Sequence, residues 1–411
     1  MTLRNYFRLI AEDRSCGSLW VWFWKPVLKT ASFIYSLGFF FHQKFYQAGL
    51  LKRKAFQQPV VSVGNITWGG TGKTPLVEYI ARFYINRGNV PLILSRGYGQ
   101  DETRAFAKQL PEARLAVGKD RCQAAQAALA QHTADVIILD DGFQHGRIKR
   151  DLDIVTINVL NPFGNFSLIP RGILRESLSS LKLAAVIVLT DVNLASRREL
   201  EGLKTRIRRY APRGEFVEAY REALYFYRPG NRERVPPARL EGEHVTTFSG
   251  IGTPRSFQML LNQIGLKTVR NFEFSDHHQF TERELSEILE AKEVSKSGEV
   301  VTTEKDFYRS EEAIRKILNP LVLKVRLHLT TGETLLHQYL ARFAQHRSFN
   351  REDRRFHDPN RRRNRPFQGR NRPPRTPVNP HEIGGQGSKA PETNQVIGET
   401  PVSTDGANPK E

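Results

Sequence analysis

The chain has 411 residues, 39% of them hydrophobic and 26% charged, with two cysteines, Cys16 and Cys122. That length supports two domains with real cores, and the composition excludes collagen, a repeat solenoid and a disulfide scaffold; two cysteines offer no metal-ligand spacing and fit a reducing compartment. The net charge of +19 is concentrated at the ends, +7 in residues 1–57 and +8 in residues 347–375, so the body between them is close to neutral.

Residues 19–41 read LWVWFWKPVLKTASFIYSLGFFF. Lys25 and Lys29 interrupt this run, and two central lysines would each cost a spanning helix roughly 2–3 kcal/mol. Pro26 and the lack of a small-residue cleavage site argue against a secretory signal. Aromatics mixed with cations suit an amphipathic helix in a membrane interface, and Lys44, Lys52, Arg53 and Lys54 would favour an anionic cytoplasmic leaflet. The other reading is a hydrophobic helix packed on the body. Residues 1–57 are assigned to this segment.

Short apolar runs then alternate with helical periodicity. Strand-like runs are Val60–Val63, Pro91–Leu94, Val136–Leu139, Ile154–Ile157 and Ala185–Leu189, with helix-like stretches at 74–86 and 119–131. This rhythm predicts an α/β fold with a parallel sheet covered by helices over residues 58–220. The first strand runs into Gly64-Asn65-Ile66-Thr67-Trp68-Gly69-Gly70-Thr71-Gly72-Lys73-Thr74 and then a helix. Glycines let backbone N–H groups turn toward phosphates, Lys73 reaches the β/γ-phosphates, and Thr74 can place its hydroxyl on Mg²⁺. The stretch predicts a nucleotide site built from Gly64, Asn65, Thr67, Gly69, Gly70, Thr71, Gly72, Lys73 and Thr74, and so a P-loop NTPase-like domain.

The strand at 136–139 ends in Asp140-Asp141-Gly142-Phe143-Gln144-His145. Carboxylates at the end of a parallel strand beside a phosphate loop point to metal ligation, with Gln144 and His145 within reach of the same cleft. Residues 221–242 are polar, contain Pro and Gly, and read as a linker. A smaller β/α series follows over 243–330, then a helix at 331–347. From residue 348 the Arg/Pro-rich tail has almost no apolar residue to bury and reads as disordered. Its arginines come with no aromatic stacking pattern, so no specific nucleic acid is expected.

Several of these stretches together resemble one family, the tetraacyldisaccharide 4'-kinases of lipid A biosynthesis. The resemblance rests on Val61–Pro75, Leu94–Gly99, Leu139–His145, Pro170–Glu176, Phe248–Gly252, Phe274–His278 and Thr302–Asp306, in that order. Ser177 departs from the family's proline. The resemblance implies two α/β domains with a nucleotide cleft between them. It implies ATP-dependent phosphorylation, with Mg²⁺, of the 4'-hydroxyl of a tetraacyldisaccharide 1-phosphate, giving the bis-phosphorylated lipid A precursor. The partners would be this lipid and the cytoplasmic surface of a bacterial inner membrane, with no obligate protein partner.

By the same resemblance His277, with His278 as runner-up, would pair with a carboxylate to form the catalytic unit. Asp101 matches that carboxylate, although Gln100 and Thr103 replace its usual neighbours and the preceding loop is short. Glu176 would sit near the metal, or instead pair with Arg175 at the surface. Thr302–Lys305 would contact a substrate phosphate or support the fold. The competing readings are a nucleotide-hydrolysing switch, which lacks an Asn-Lys-x-Asp base-selecting motif here, and a tail-driven nucleic-acid binder, which leaves the phosphate loop unexplained.

Overall fold

A computed structural model describes residues 19–97, 100–230 and 233–344. The expectations for residues 1–18 and for the tail from 348 lie outside the described residues. Helix α1 (Leu19–Gln47) leads into a series of strands: β1 (Val60–Gly64), β2 (Pro91–Ser95), β3 (Arg114–Val117), β4 (Val136–Asp140), β5 (Leu152–Asn158), β6 (Val186–Thr190) and β7 (Glu215–Tyr227). They lie side by side, all parallel, in the order β3-β2-β4-β1-β5-β6-β7. Every residue of β1, β2, β4 and β6 is buried, which is why their sequences run apolar without alternation. Helices α2 (Lys73–Ile85), α3 (Gln100–Gln109), α4 (Arg121–Gln131) and α5 (Arg197–Arg208) supply the crossovers. β4 is inserted between β1 and β2, so the strand order switches direction beside β1. In open α/β sheets the carboxyl ends of strands at such a point frame a ligand crevice.

The second half comprises β9 (His244–Ser249), β10 (Lys267–Glu273), β11 (Glu299–Thr303) and β12 (Leu321–Thr331), with α6 (Pro254–Gln263), α7 (Glu282–Ser295), α8 (Glu304–Arg309) and α9 (Glu311–Ile317). Its strands extend the same sheet in the order β10-β9-β11-β12-β7, and β12 runs antiparallel to β7. The register sets the geometry of the molecule. β6 pairs only with Glu215–Glu218 at the start of β7, while β11 pairs with Leu321–Leu323 at the start of β12, opposite the end of β7. At about 3.3 Å per residue, the two parallel sub-sheets are offset by about 30 Å along the β7–β12 ladder. Because they run in opposite directions, their carboxyl ends face each other across a cleft.

One expectation is corrected here. Residues 221–242 are not a free linker, because Arg221–Tyr227 is the second half of β7. The charges that make it look like exposed chain are partnered: Arg221 forks onto buried Asp191, and Glu222 accepts from Arg326 Nε at 2.6 Å. After β7 the chain forms the two-residue strand β8 (Arg234–Val235) on its edge and a short 3₁₀ turn over Pro237–Leu240. Asp191 also accepts from Asn158 Nδ2 at 2.7 Å and Ser256 Oγ at 2.9 Å, tying α6 to the first half. The closing helix α10 (Glu333–Ala341) packs back on α2, where Tyr84 donates to the Leu340 carbonyl at 3.0 Å.

Helix α1 has two faces. Leu28 and Ser32 are buried, Ser32 Oγ donates to the Leu168 carbonyl at 2.7 Å, and Tyr35 donates to the Arg175 carbonyl at 3.0 Å. On the opposite side Phe33 and Ile34 are 69% and 66% exposed, and Leu37, Phe40, Phe41 and Phe45 continue the apolar stripe. The helix is therefore packed on the body along one side and presents apolar surface along the other. No helix among the described residues is long and apolar enough to cross a membrane.

Candidate active site

The phosphate loop leaves β1 and closes on Gly72, whose left-handed backbone (φ 85°) caps α2. A side chain there would be strained, and its Cβ would lie 3.0 Å from Thr190 Cγ2. Lys73 begins the helix, and its Nζ lies 3.5 Å from Asp141 Oδ1. Asn65 is fully buried and shapes the loop from behind. It donates to Thr71 Oγ1 at 2.9 Å, and its Oδ1 accepts from Arg175 Nη2 at 2.6 Å. Gln144 donates to the Asn65 carbonyl at 2.7 Å. Of the expected nucleotide set, Thr67 and Gly69–Thr74 line the cleft, whereas Asn65 supports it.

Asp140 and Asp141 lie side by side but in different electrostatic settings. Burial pushes the Asp140 carboxyl up to about 7, with the Glu102 and Asp141 charges adding to the effect. Burial acts on Asp141 too, but Lys73 and the two-pronged Arg175 fork, at 2.6 and 3.0 Å, outweigh it and hold that carboxyl well below the usual range. Arg121, buried at the start of α4, donates to the Asp141 carbonyl at 3.0 Å.

Two expected positions fall behind the cleft. Glu176 is 1% exposed and lies away from the lining, where burial raises its carboxyl against the opposing influence of Ser180 and Gln144. It neither reaches the cleft nor pairs with Arg175, whose guanidinium is turned to Asp141. His145 is also off the lining, and burial together with Arg121, Arg147 and Arg150 lowers it to about 4, so it is neutral near pH 7.

The sequence reading missed Glu102. It stands in the first turn of α3, accepts from Thr74 Oγ1 at 3.3 Å, and pairs with Lys305 at 3.0 Å. The Asp-Glu pair at 101–102 was the available signal. Asp101 is the second residue of α3; its side chain lies outside the described residues. Thr74, Glu102 and Asp140 line the same cleft, Thr74 bonding Glu102 and the Glu102 charge acting on Asp140, and they offer three oxygen donors of the kind a hard cation takes. No group of three or more His, Cys, Asp or Glu among the described residues forms a self-sufficient metal cage.

His277 lies on the far wall of the cleft with its side chain 40% exposed and its backbone left-handed at φ 63°. His278 turns away. It stacks on Phe274 at 4.7 Å and bonds Glu284 at 2.9 Å, so the runner-up is a packing residue. The Thr302–Asp306 motif divides its tasks. Thr302 donates to the Phe248 carbonyl at 3.0 Å, Thr303 caps α8, and Glu304 meets Lys324 at 3.0 Å. Lys305 faces the cleft between Glu102 and Asp276. Gly252 completes the closure: a Cβ there would sit 2.3 Å from the Gly70 nitrogen, so only glycine lets this loop approach the phosphate loop. The enclosed space is about 710 Å³, room for a nucleotide and part of an acceptor.

Residues 24–345 match the sequence profile of the tetraacyldisaccharide-1-P 4'-kinase family. This chain belongs to that family. Similar proteins include the tetraacyldisaccharide 4'-kinase of Elusimicrobium minutum, 36% identical over 72% of this chain and 85% of its own. A probable mitochondrial tetraacyldisaccharide 4'-kinase of Arabidopsis thaliana is 33% identical over 74% of this chain and 86% of its own. The crystal structure of LpxK from Aquifex aeolicus in complex with ATP superposes with a TM-score of 0.60 at 28% identity, covering 78% of this chain and 99% of that one. The kinase family's α/β fold with a nucleotide cleft, anticipated from the motifs, is thus the fold of this chain.

The Asp140 environment carries a pH prediction for this kinase. Its folded carboxyl titrates near 7 and an unfolded one near 4, so the folded state binds more protons between those values and stability falls as pH rises through that window. Without nucleotide or Mg²⁺, Asp140→Asn should melt above the parent at pH 8, with the gap shrinking toward pH 5. A gap that is absent or independent of pH in melting scans contradicts the assigned burial and crowding.

Proposed function

We infer that this chain is the ATP-dependent kinase that transfers the γ-phosphoryl group to the 4'-hydroxyl of a tetraacyldisaccharide 1-phosphate, a step of lipid A biosynthesis. The observation that carries the reading is the cleft itself, with Lys73 at the start of α2 on one wall and His277 on the other. In the proposed reaction the phosphate loop and Lys73 hold the β- and γ-phosphates, and Arg121 and Arg175 add positive charge behind them. The acceptor oxygen attacks phosphorus, the bond to the β-phosphate oxygen breaks, and ADP leaves. Asp101, oriented by His277, takes the hydroxyl proton. Thr74, Glu102 and Asp140 would hold Mg²⁺, which when bound neutralises charge on the phosphates.

The exposed stripe of α1, with Lys52, Arg53 and Lys54 beside it, supports peripheral binding to the anionic cytoplasmic face of the inner membrane, where the lipid acceptor resides. Replacing Phe33 and Ile34 together by Glu should lower the fraction floating with phosphatidylglycerol vesicles by about tenfold or more, since each buried apolar side chain contributes about 1.5–3 kcal/mol. High salt should weaken binding of the parent. Unchanged flotation of the double variant would contradict the interfacial role.

The deciding assay uses labelled ATP with tetraacyldisaccharide 1-phosphate in detergent micelles. Label on the 4'-position is the expected result. Hydrolysis of ATP without label on the lipid would overturn the proposal.

A further inference from the structure

A buried ion pair outside the cleft makes bonds that end on the backbone around His277. Asp306 and Arg309 stand one turn apart on α8, with side chains 0% and 6% exposed. Asp306 Oδ1 accepts from the Gly250 backbone N–H at 3.0 Å, and Oδ2 accepts from Thr303 Oγ1 at 2.7 Å. Arg309 Nη1 donates to the Gly250 carbonyl and to Asp306 Oδ1, both at 3.0 Å, and to the His278 carbonyl at 3.3 Å. The Gly250 carbonyl also accepts the His277 backbone N–H at 3.1 Å. Two side chains thus fix both polar groups of Gly250 and the carbonyl that follows the His277 peptide.

A brace serving α8 alone would need only the bond between Asp306 and Arg309. Here each partner also bonds Gly250, and Arg309 reaches the His278 carbonyl as well; His277, whose backbone N–H bonds the Gly250 carbonyl and which precedes His278, is left-handed without being glycine. Such a conformation persists where its surroundings over-determine it. Neither side chain lines the cleft, so any effect on chemistry passes through the main chain.

We propose that Asp306 and Arg309 are positioning residues that hold the His277 turn in its left-handed form and thereby aim the imidazole at the acceptor. The inference rests on the role given to His277 above. Losing the pair would leave the Gly250 N–H and the His278 carbonyl without their charged partners, let the turn relax, and move the ring by a fraction of its working distance. A displacement of about 1 Å is enough to cost roughly 10²-fold in turnover.

The test compares the full-length protein with Arg309→Gln, Arg309→Lys, Asp306→Asn, His277→Ala and the His277→Ala/Arg309→Gln double variant, measuring kcat, ATP affinity and melting temperature. Arg309→Gln should lower kcat by about 10- to 100-fold with ATP affinity within about threefold. Arg309→Lys should recover most of the loss, because a lysine ammonium carries three donors and the charge. In the His277→Ala background the same Gln change should cost less than about threefold, since residues acting as one unit are not additive. An equal loss in both backgrounds, or a folded Arg309→Gln with kcat within threefold of the parent, overturns the inference. If Arg309→Gln does not fold, Asp306→Asn replaces it in the cycle under the same criterion. If His277→Ala itself keeps kcat within threefold, the role of His277 fails, a result separate from the failure of the clamp.

Discussion

Lys73→Ala is expected to lose about 10³-fold in turnover, the scale of a positioned cation on a transferring phosphoryl group. The structure makes this variant a clean one. Asp141, the nearest carboxylate to the Lys73 ammonium, is also held by the Arg175 fork, so removing the lysine does not strand a charge. The fold should survive, and the loss should appear in phosphoryl transfer measured with saturating lipid. Lys73→Arg should not restore it, because a planar fork cannot take the place of a compact ammonium at the head of a helix. Turnover within tenfold of the parent would remove the nucleotide assignment.

His277→Ala should lower turnover by about 10²–10⁴-fold, the range for general acid–base catalysis, with ATP binding little changed. Asp101→Ala should cost a similar factor, and the double variant little more than either single one. Near-normal turnover of Asp101→Ala beside a crippled His277→Ala would move the base to Asp140 or Asp141. Loss of ATP binding in His277→Ala, with turnover intact at saturation, would falsify the pairing outright.

The parts of this site that a reader of the sequence can find are those written in contiguous residues. β1, β2, β4 and β6 read as uninterrupted apolar runs because helices cover both their faces. Gly69–Thr74 and Asp140-Asp141 announce themselves because backbone geometry and strand ends fix what such residues can do. The Arg175 fork on Asp141 spans 34 positions, and Lys305 meets Glu102 across some two hundred, so both depend on which strands neighbour one another. Helix α3 escaped notice because its sequence, QDETRAFAKQ, has too few apolar residues to show a periodicity. Strand β7, which runs past the boundary read at residue 220, is hidden along its length by charges that find partners only once the sheet is assembled.

That long strand decides how the molecule can be taken apart. β7 belongs to both halves, pairing with β6 through its first four residues and with β12 along most of its length. A fragment ending before Glu215 would bare the edge of β6, and one beginning after Tyr227 would bare β12. Each is a row of unpaired backbone groups of the kind that recruits other chains. Separate expression of a nucleotide half and an acceptor half should therefore yield aggregates, and a cut in the loop after β8 meets the same obstacle, because β12 would still be parted from β7. Duplication or exchange of either half between proteins meets the same barrier, so substitutions that tune the acceptor wall must be accommodated within one continuous sheet.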